Sequence, residues 1–318
     1  MGHCLPQMRC SSTYKTRLRW PKQAPIALPR RAAIAVFAAL GDVACMIDRR
    51  ARRRIVEHLE IAWGDRLTPA ERRAVRRRMF QDFGRNLVDF LRLPGTAKND
   101  LRRLVQFEGL EHLDEALGKG TGVLAVSAHF GNWELLGAAL AARGYEVHVL
   151  AREVFDKRVE QRLQSLREQA GVIVHVGRGG LVGTVRALKR GKIVGVLLDQ
   201  DTGGPAVFSE FFGRLARTPT TPFRIARSLG AEIVPMLIHL ERDLTHRVRI
   251  HRALDNFGET HECIVQDLRD WHRILEREIT ACPSQWVWFH QRWKRRPETQ
   301  GAGHFFTATP SKEMLITR

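Results

Sequence analysis

The sequence predicts an α/β fold: a mostly parallel central sheet flanked by helices and preceded by a basic helical extension. Three observations predict it. From about residue 105 onward, short apolar runs alternate with stretches of helical period, the pattern of strand and helix units built into one sheet. The strand candidates are near-continuous apolar runs, as expected where helices cover both faces of a sheet. Before residue 105 only helical periods occur, and they are set among arginines.

Taken in order, residues 1–29 carry Pro6, Pro21, Pro25 and Pro29 with little periodicity and read as a disordered or loosely attached N-terminus. Residues 30–104 read as a basic, membrane-associating helical region. Its first stretch, AAIAVFAALGDVACMI at 32–47, is shorter than the roughly 20 apolar residues of a span, contains Asp42 and is bracketed by arginines. It reads either as a helix lying on a membrane interface or as one packed on the domain. It begins too late for a secretory signal and lacks a clear cleavage site. Ile55, Leu59, Ala62 and Trp63 then recur at helical spacing until Gly64 stops the run. Thr68, Pro69 and Glu71 form a capping box. The helix it opens places Val75, Met79, Phe83, Leu87, Phe90 and Leu91 on one side and arginines on the other.

Residues 105–298 read as the α/β core, with 299–318 as a tail. Strands are expected at 121–128, 145–151, 171–176, 192–201, 231–241 and 246–254, and helices at 133–142, 157–170, 181–189 and 222–229. No repeat or linker interrupts this pattern, so one domain with an N-terminal extension is expected.

The 318 residues carry a formal net charge of +18, with 44% hydrophobic and 27% charged residues. The composition is that of a folded chain, and its field attracts polyanions: nucleic acid, an anionic membrane face or an acidic protein. Cys4, Cys10, Cys45, Cys263 and Cys282 are odd in number and scattered, which argues against a disulfide framework or zinc knuckle and fits a reducing compartment. The segment WVWFHQRWKRR places Trp286, Trp288 and Trp293 among basic residues. It reads as an interfacial belt or, equally, as tryptophans closing the core.

The stretch SAHFGNWELLG at 127–137 lies where a strand hands over to a helix, the edge at which open α/β sheets bind ligands. His129 is delivered there, Gly131 permits a tight turn and Asn132 caps the helix. With His129 ahead of the helix and Glu134 in its first turn, the carboxylate is expected to fold back onto the imidazole. Such a pair fixes the tautomer and frees the second ring nitrogen to take a proton from a hydroxyl. No serine or cysteine stands as a covalent nucleophile, so the hydroxyl is expected to belong to the substrate. Helix N-terminal amides are then placed to stabilise the oxyanion of an attacked thioester. The competing reading makes His129 a core histidine and Glu134 a surface residue.

HFGNWE resembles the H-x4-D/E motif of acyltransferases, and its surroundings resemble the late acyltransferases of lipid A biosynthesis, the lauroyl and myristoyl transferases. The resemblance runs from about Arg52 to Lys294, through FEGLEHLDEAL, SAHFGNWELLG, LAR, LLDQD, EFFGRLARTPTTP, GAEIVP and WFHQRWKRRP. It implies a glycerol-3-phosphate-acyltransferase-like domain that moves a fatty acyl chain from acyl carrier protein or coenzyme A to a hydroxyl of a lipid A precursor or related glycolipid. It implies no metal and no cofactor beyond that acyl co-substrate. The expected site is the cytoplasmic face of the bacterial inner membrane, with the chain peripheral or monotopic among anionic lipids. His129 is implied as general base and Glu134 as the acid that orients it. Arg152 is implied to bind an anionic group of the acceptor, with Asn132 also on the substrate side. Asp199, Asp201, Phe211, Phe212, Gly213 and Thr218 are implied to wall the acyl or head-group site. Two features depart from the family: members usually carry a longer apolar N-terminal anchor than residues 32–47, and His58 stands where an Asn is expected.

Other classes fit less well. A nucleic-acid binder has no use for a His-x4-Glu turn, and no zinc, RRM or OB signature is present. A metal hydrolase would need paired ligands, whereas His129, His148 and His175 fall on different elements. The nearer rival is an acyltransferase of the same fold acting on a lysophospholipid, an ornithine lipid or a mannosylated glycolipid.

Overall fold

The computed structural model describes residues 28–152, 156–255, 258 and 260–297. The expected tail at 299–318 and all but the last two residues of the expected loose N-terminus lie outside the described residues. Three helices lead: α1 (Arg30–Ile47), α2 (Arg49–Trp63) and α3 (Pro69–Arg92). The capping box is formed as expected, with the Thr68 hydroxyl accepting from the Glu71 N–H and the Glu71 carboxylate accepting from the Thr68 N–H. α1 crosses α3 closely at Gly41 and Gly84, where an added Cβ would run into the opposite backbone. Buried Asp89 of α3 ties this pair to the sheet, accepting both N–H groups of the Arg30 fork at 2.7 Å and lying 2.9 Å from His246 Nε2.

After α4 (Lys98–Leu104), the chain forms β1 (Val105–Glu108), α5 (Leu110–Gly118), β2 (Val123–Ser127), α6 (Trp133–Ala142), β3 (Val147–Ala151), α7 (Lys157–Gln169), β4 (Val172–Val176), α8 (Gly177–Lys189) and β5 (Ile193–Leu197). The hairpin β6 (Ala206–Phe211) and β7 (Arg214–Pro219), α9 (Thr221–Ser228), β8 (Glu232–Leu240), β9 (His246–Ile250) and α10 (His261–Ala281) complete it. Seven strands form one sheet in the order β1-β9-β8-β2-β5-β3-β4, every pair parallel except β8 with β9. Odd-numbered residues such as Val123, Ala125 and Ile193 pack under Leu135, Leu140 and Leu166 of α6 and α7, while Leu124, Val126 and Val194 pack against α2, α9 and α10 on the other face.

The six expected strands of the core are all present, trimmed by one or more residues at their ends. α8 starts earlier than expected, because Gly177, Gly179 and Gly180 weaken the helical signal of its first turn. α4, β1, α5, the β6 and β7 hairpin and α10 went unforeseen. β6 and β7 form a separate two-stranded sheet closed by Phe212 (φ 52) and Gly213 (φ 69), the left-handed pair of a tight hairpin turn. α10 buries Ile264, Leu268, Trp271, Leu275 and Ile279, a helical stripe that was readable in the sequence.

Candidate active site

β2 and β5 are neighbours, with Ser127 opposite Leu197, and the Leu198 N–H donates to the Ser127 carbonyl at 3.0 Å. Each chain runs two residues past that level, so His129 and Asp199 meet above the carboxyl edge of the sheet. His129 Nδ1 lies 2.7 Å from Asp199 Oδ1, while Asp199 Oδ2 accepts the His129 backbone N–H and the Trp286 indole N–H, both at 2.9 Å. Asp199 is 1% exposed. Burial pushes its carboxyl up, but the charge and hydrogen bond of His129, the charge of His290 and the Trp286 N–H outweigh this and hold it well below the usual carboxylate range.

The loop carrying His129 is locked from behind. Gly131 has φ +57, and a Cβ there would collide with the Ile238 carbonyl oxygen, so only glycine fits this turn. The C-terminal segment lies across the loop: Gly131 N–H donates to Gln285 O (2.8 Å), Val287 N–H donates to His129 O (3.0 Å), and Phe130 bridges to Trp286. Gln285 is itself held on both backbone groups of Leu240. Trp286 and Trp288 are fully buried, and Trp293 packs on Phe211. Of the two readings of these tryptophans, the structure takes the core.

Glu134 does not fold back onto His129. The Trp133 indole stands beside the imidazole, its ring centroid 5.0 Å away. Glu134, the next residue in the first turn of α6, instead accepts both arms of Arg167 from α7, at 2.7 and 2.5 Å. The carboxylate partner of His129 is therefore Asp199, from the neighbouring strand.

The other expected residues divide. Arg152 is exposed at the end of β3 and borders the main cavity. Asn132 caps α6 by accepting the Leu135 N–H (3.2 Å) and donates to Asn86 O (2.9 Å); it is buried and serves the loop. Asp201 pairs with Arg217 (2.7 Å) and Arg295 (3.2 Å). Phe211, Phe212, Gly213 and Thr218 are not on the cavity wall. Phe211 and Thr218 are fully buried, Phe212 packs on Trp63 and Trp288, and Gly213 serves the hairpin turn. Buried Arg292 donates to Thr218 Oγ1 (2.6 Å) and lies 3.0 Å from His272 Nε2, whose Nδ1 lies 2.8 Å from Glu210 O. Burial and the Arg292 charge, offset only in part by that Nδ1–H bond, bring His272 down to about 3.

Two cavities meet at this point. The larger, about 1170 Å³, opens at His129, Trp133, Glu134, Arg152 and Arg167 and runs between α6 and the odd face of β2, β5 and β3 over mostly apolar walls. The smaller, about 440 Å³, is bordered by Arg54, Asp201, His290, Lys294 and Arg295. Gln200 borders both, its amide nitrogen 3.3 Å from each ring nitrogen of His129 and 3.0 and 2.9 Å from those of His290. Burial first, and the nearby His129 second, bring His290 down to about 4, so it is neutral near pH 7. Gln200, His290, Arg167 and Trp286 were not singled out as site residues, although LLDQD contains Gln200 and WFHQRWK contains His290.

The arrangement is a buried carboxylate, an oriented imidazole and an apolar cavity opening beside it, as base-assisted transfer of a hydrophobic group requires. The family model described as bacterial lipid A biosynthesis acyltransferase matches residues 24–295. A phosphatidylinositol mannoside acyltransferase of Mycobacterium tuberculosis is 27% identical over 67% of this chain and 68% of its own length. The lipid A biosynthesis palmitoleoyltransferase of Escherichia coli is 27% identical over 62% of this chain and 64% of its own. The lauroyltransferase of Escherichia coli is 24% identical over 86% and 89%.

Proposed function

Since the chain belongs to the bacterial lipid A biosynthesis acyltransferase family, we propose that this acyltransferase moves a fatty acyl chain from a thioester of acyl carrier protein or coenzyme A to a hydroxyl of a lipid A precursor or related glycolipid. The observation that carries the reading is the His129 and Asp199 pair at the mouth of an apolar cavity. The acyl chain lies in that cavity with its thioester carbonyl at His129. With Nδ1–H donated to Asp199, His129 Nε2 takes the proton of the acceptor hydroxyl as its oxygen attacks the carbonyl carbon. Asp199 stabilises the imidazolium that forms. The N-terminal amides and dipole of α6, which starts at Trp133 beside the imidazole, favour the oxyanion. Collapse of the intermediate breaks the carbon–sulfur bond, and the imidazolium returns the proton to the departing thiolate.

The acceptor approaches from the smaller cavity, where Arg54, Lys294 and Arg295 face one carboxylate, Asp201. That excess of positive charge suits an acidic or phosphorylated head group. A mannosylated phospholipid is the second acceptor class, because one relative is named for phosphatidylinositol mannoside. Among the described residues no helix is long and apolar enough to cross a membrane. α1, however, leaves Val36, Leu40, Val43, Met46 and Ile47 exposed along one side, ahead of the arginines at 49–54. This face suits an interfacial helix on the cytoplasmic leaflet, each nearby arginine adding roughly 1 kcal/mol at an anionic surface. The same positive field suits acyl carrier protein, which is acidic.

The test is mass spectrometry of lipid extracts from a strain lacking its own late acyltransferase, expressing either this chain or His129→Ala. Gain of one acyl chain on lipid A with the first and none with the second is the expected result. An acyl gain confined to a phospholipid or another glycolipid moves the acceptor. A gain that persists in His129→Ala removes His129 as the base.

A further inference from the structure

We propose that Gly195 sets the length of acyl chain this protein accepts, an inference that rests on the acyl-transfer reading of the larger cavity. β5 lies inside the sheet between β2 and β3, where residues are normally sealed by helices. Yet Gly195 and Leu197 are accessible while Ile193, Val194 and Val196 are buried. On β3, Val149, Leu150 and Ala151 are accessible and border the cavity, and Val147 is buried. The accessible positions are those that face the cavity.

The strand register turns this into a depth scale. Ala125, Gly195 and Val149 stand side by side on β2, β5 and β3. Two residues deeper, Ile193 and Val147 stand side by side at 2% and 1% exposure and close the trough. At about 3.3 Å per residue, the floor lies roughly 13 Å below Leu197. Along this path Gly195 is the position with no side chain, and Gly137 of α6 lies on the opposite wall. A glycine inside a strand commonly marks close approach of a ligand.

The backbone does not itself need a glycine at 195, which is absent from the positive-φ glycines. An added Cβ would make ordinary contacts, at 3.5 Å to Val149 Cγ1 and 3.7 Å to His148 O. A larger residue therefore fits the strand and takes its space from the trough. In Gly195→Val the added methyl groups occupy the level where the chain now passes, while Val147→Ala lowers the floor.

The experiment measures binding of saturated fatty acids from octanoate to stearate by displacement of a fluorescent fatty acid, in the full chain and in Gly195→Ala, Gly195→Val and Val147→Ala. Each methylene that enters should tighten binding about fourfold, the equivalent of roughly 0.8 kcal/mol per buried CH2, until the floor is reached and affinity levels off. The plateau should come at shorter chains in Gly195→Ala, shorter still in Gly195→Val, and at longer chains in Val147→Ala. The acyl chains found on product lipid should shift in the same order. A plateau at the wild-type length in both Gly195 variants, or an equal weakening at every length, overturns the proposal. If the plateaus of the variants move as expected while the wild-type chain transfers no acyl group, Gly195 stands as the ruler and the transfer reading is rejected instead.

Discussion

Replacing Asp199 by Asn tests the site at its buried carboxylate. Asp199 accepts three N–H groups on two oxygens, whereas Asn offers one oxygen and two N–H donors. If the oxygen keeps the backbone and Trp286 donors, the new amide faces Nδ1, and the imidazole must move its proton to Nε2 to accept from it. Nε2 then carries the proton that it should be free to take up. Loss of the correct tautomer at a buried carboxylate and histidine pair lowers kcat by about 10³ to 10⁴-fold, or roughly 4 to 5.5 kcal/mol. The apolar cavity is untouched, so KM for the acyl donor should hold, the signature of an interaction made mainly in the transition state. The assay is steady-state transfer with purified protein, following release of the free thiol, with urea unfolding as a control for folding. Retention of activity within tenfold of wild type by a folded Asp199→Asn protein would refute the pairing of His129 with Asp199 as the working dyad.

The remaining predictions draw on the surroundings. Glu134 and Arg167 should couple in a double-mutant cycle on stability: Glu134→Gln alone strands a largely buried guanidinium and should cost about 3 kcal/mol, while Glu134→Gln with Arg167→Met should recover much of that. Additive losses in urea unfolding would remove the pair as the reason for Glu134. His272 and His290 have folded values of about 3 and about 4, below the unfolded value near 6.5. The unfolded chain therefore binds more protons below about pH 6.5, and stability is full above that value and falls as pH drops. At pH 5 each should have cost about 2 kcal/mol, read as a lower urea midpoint than at pH 7 and reduced in His272→Gln; a flat profile would contradict this. Gly131→Ala should lower stability by several kcal/mol or displace His129, since the turn excludes a Cβ and needs φ > 0; a wild-type melting temperature and kcat would reject that account. Leu40→Asp with Val43→Asp should abolish flotation with anionic vesicles while leaving the circular dichroism spectrum intact, and unchanged flotation would remove α1 from the membrane face.

The fold was legible because burial on both faces of a parallel sheet leaves a mark that one sequence can carry. VLAVS, VIVHV and EIVPMLIHL are mostly apolar and separated by helical stretches, and each became a strand of the central sheet. Less was legible where local preference ran against the final structure. GRGGLVG hides the first turn of α8 behind glycines, and two of them are there because Gly180 and Gly183 pack tightly on His175. The β6 and β7 hairpin turns through Phe212 in a left-handed conformation that the residue does not favour, held by its N–H bond to Glu276 at 2.6 Å. Nothing within four residues of Phe212 announces that bond.

The site shows the same division, and its distances explain it. His129 and Gly131 were readable because their role depends on where β2 ends and on a turn that excludes a Cβ. The partner of His129 was not, because the two residues are 70 positions apart and meet only through strand order. The sequence runs β2, β3, β4, β5, but the sheet places β5 between β2 and β3, and no local period records that insertion. Within the motif, Glu134 was the only acid near His129, and the structure commits it to Arg167. Asp199 carried a weaker signal: an acid directly after a buried strand must find partners if it is not to remain an unpaired buried charge. Acids placed in this way at the carboxyl ends of central strands are therefore as worth pairing with a motif histidine as the acid inside the motif, and strand order decides between them.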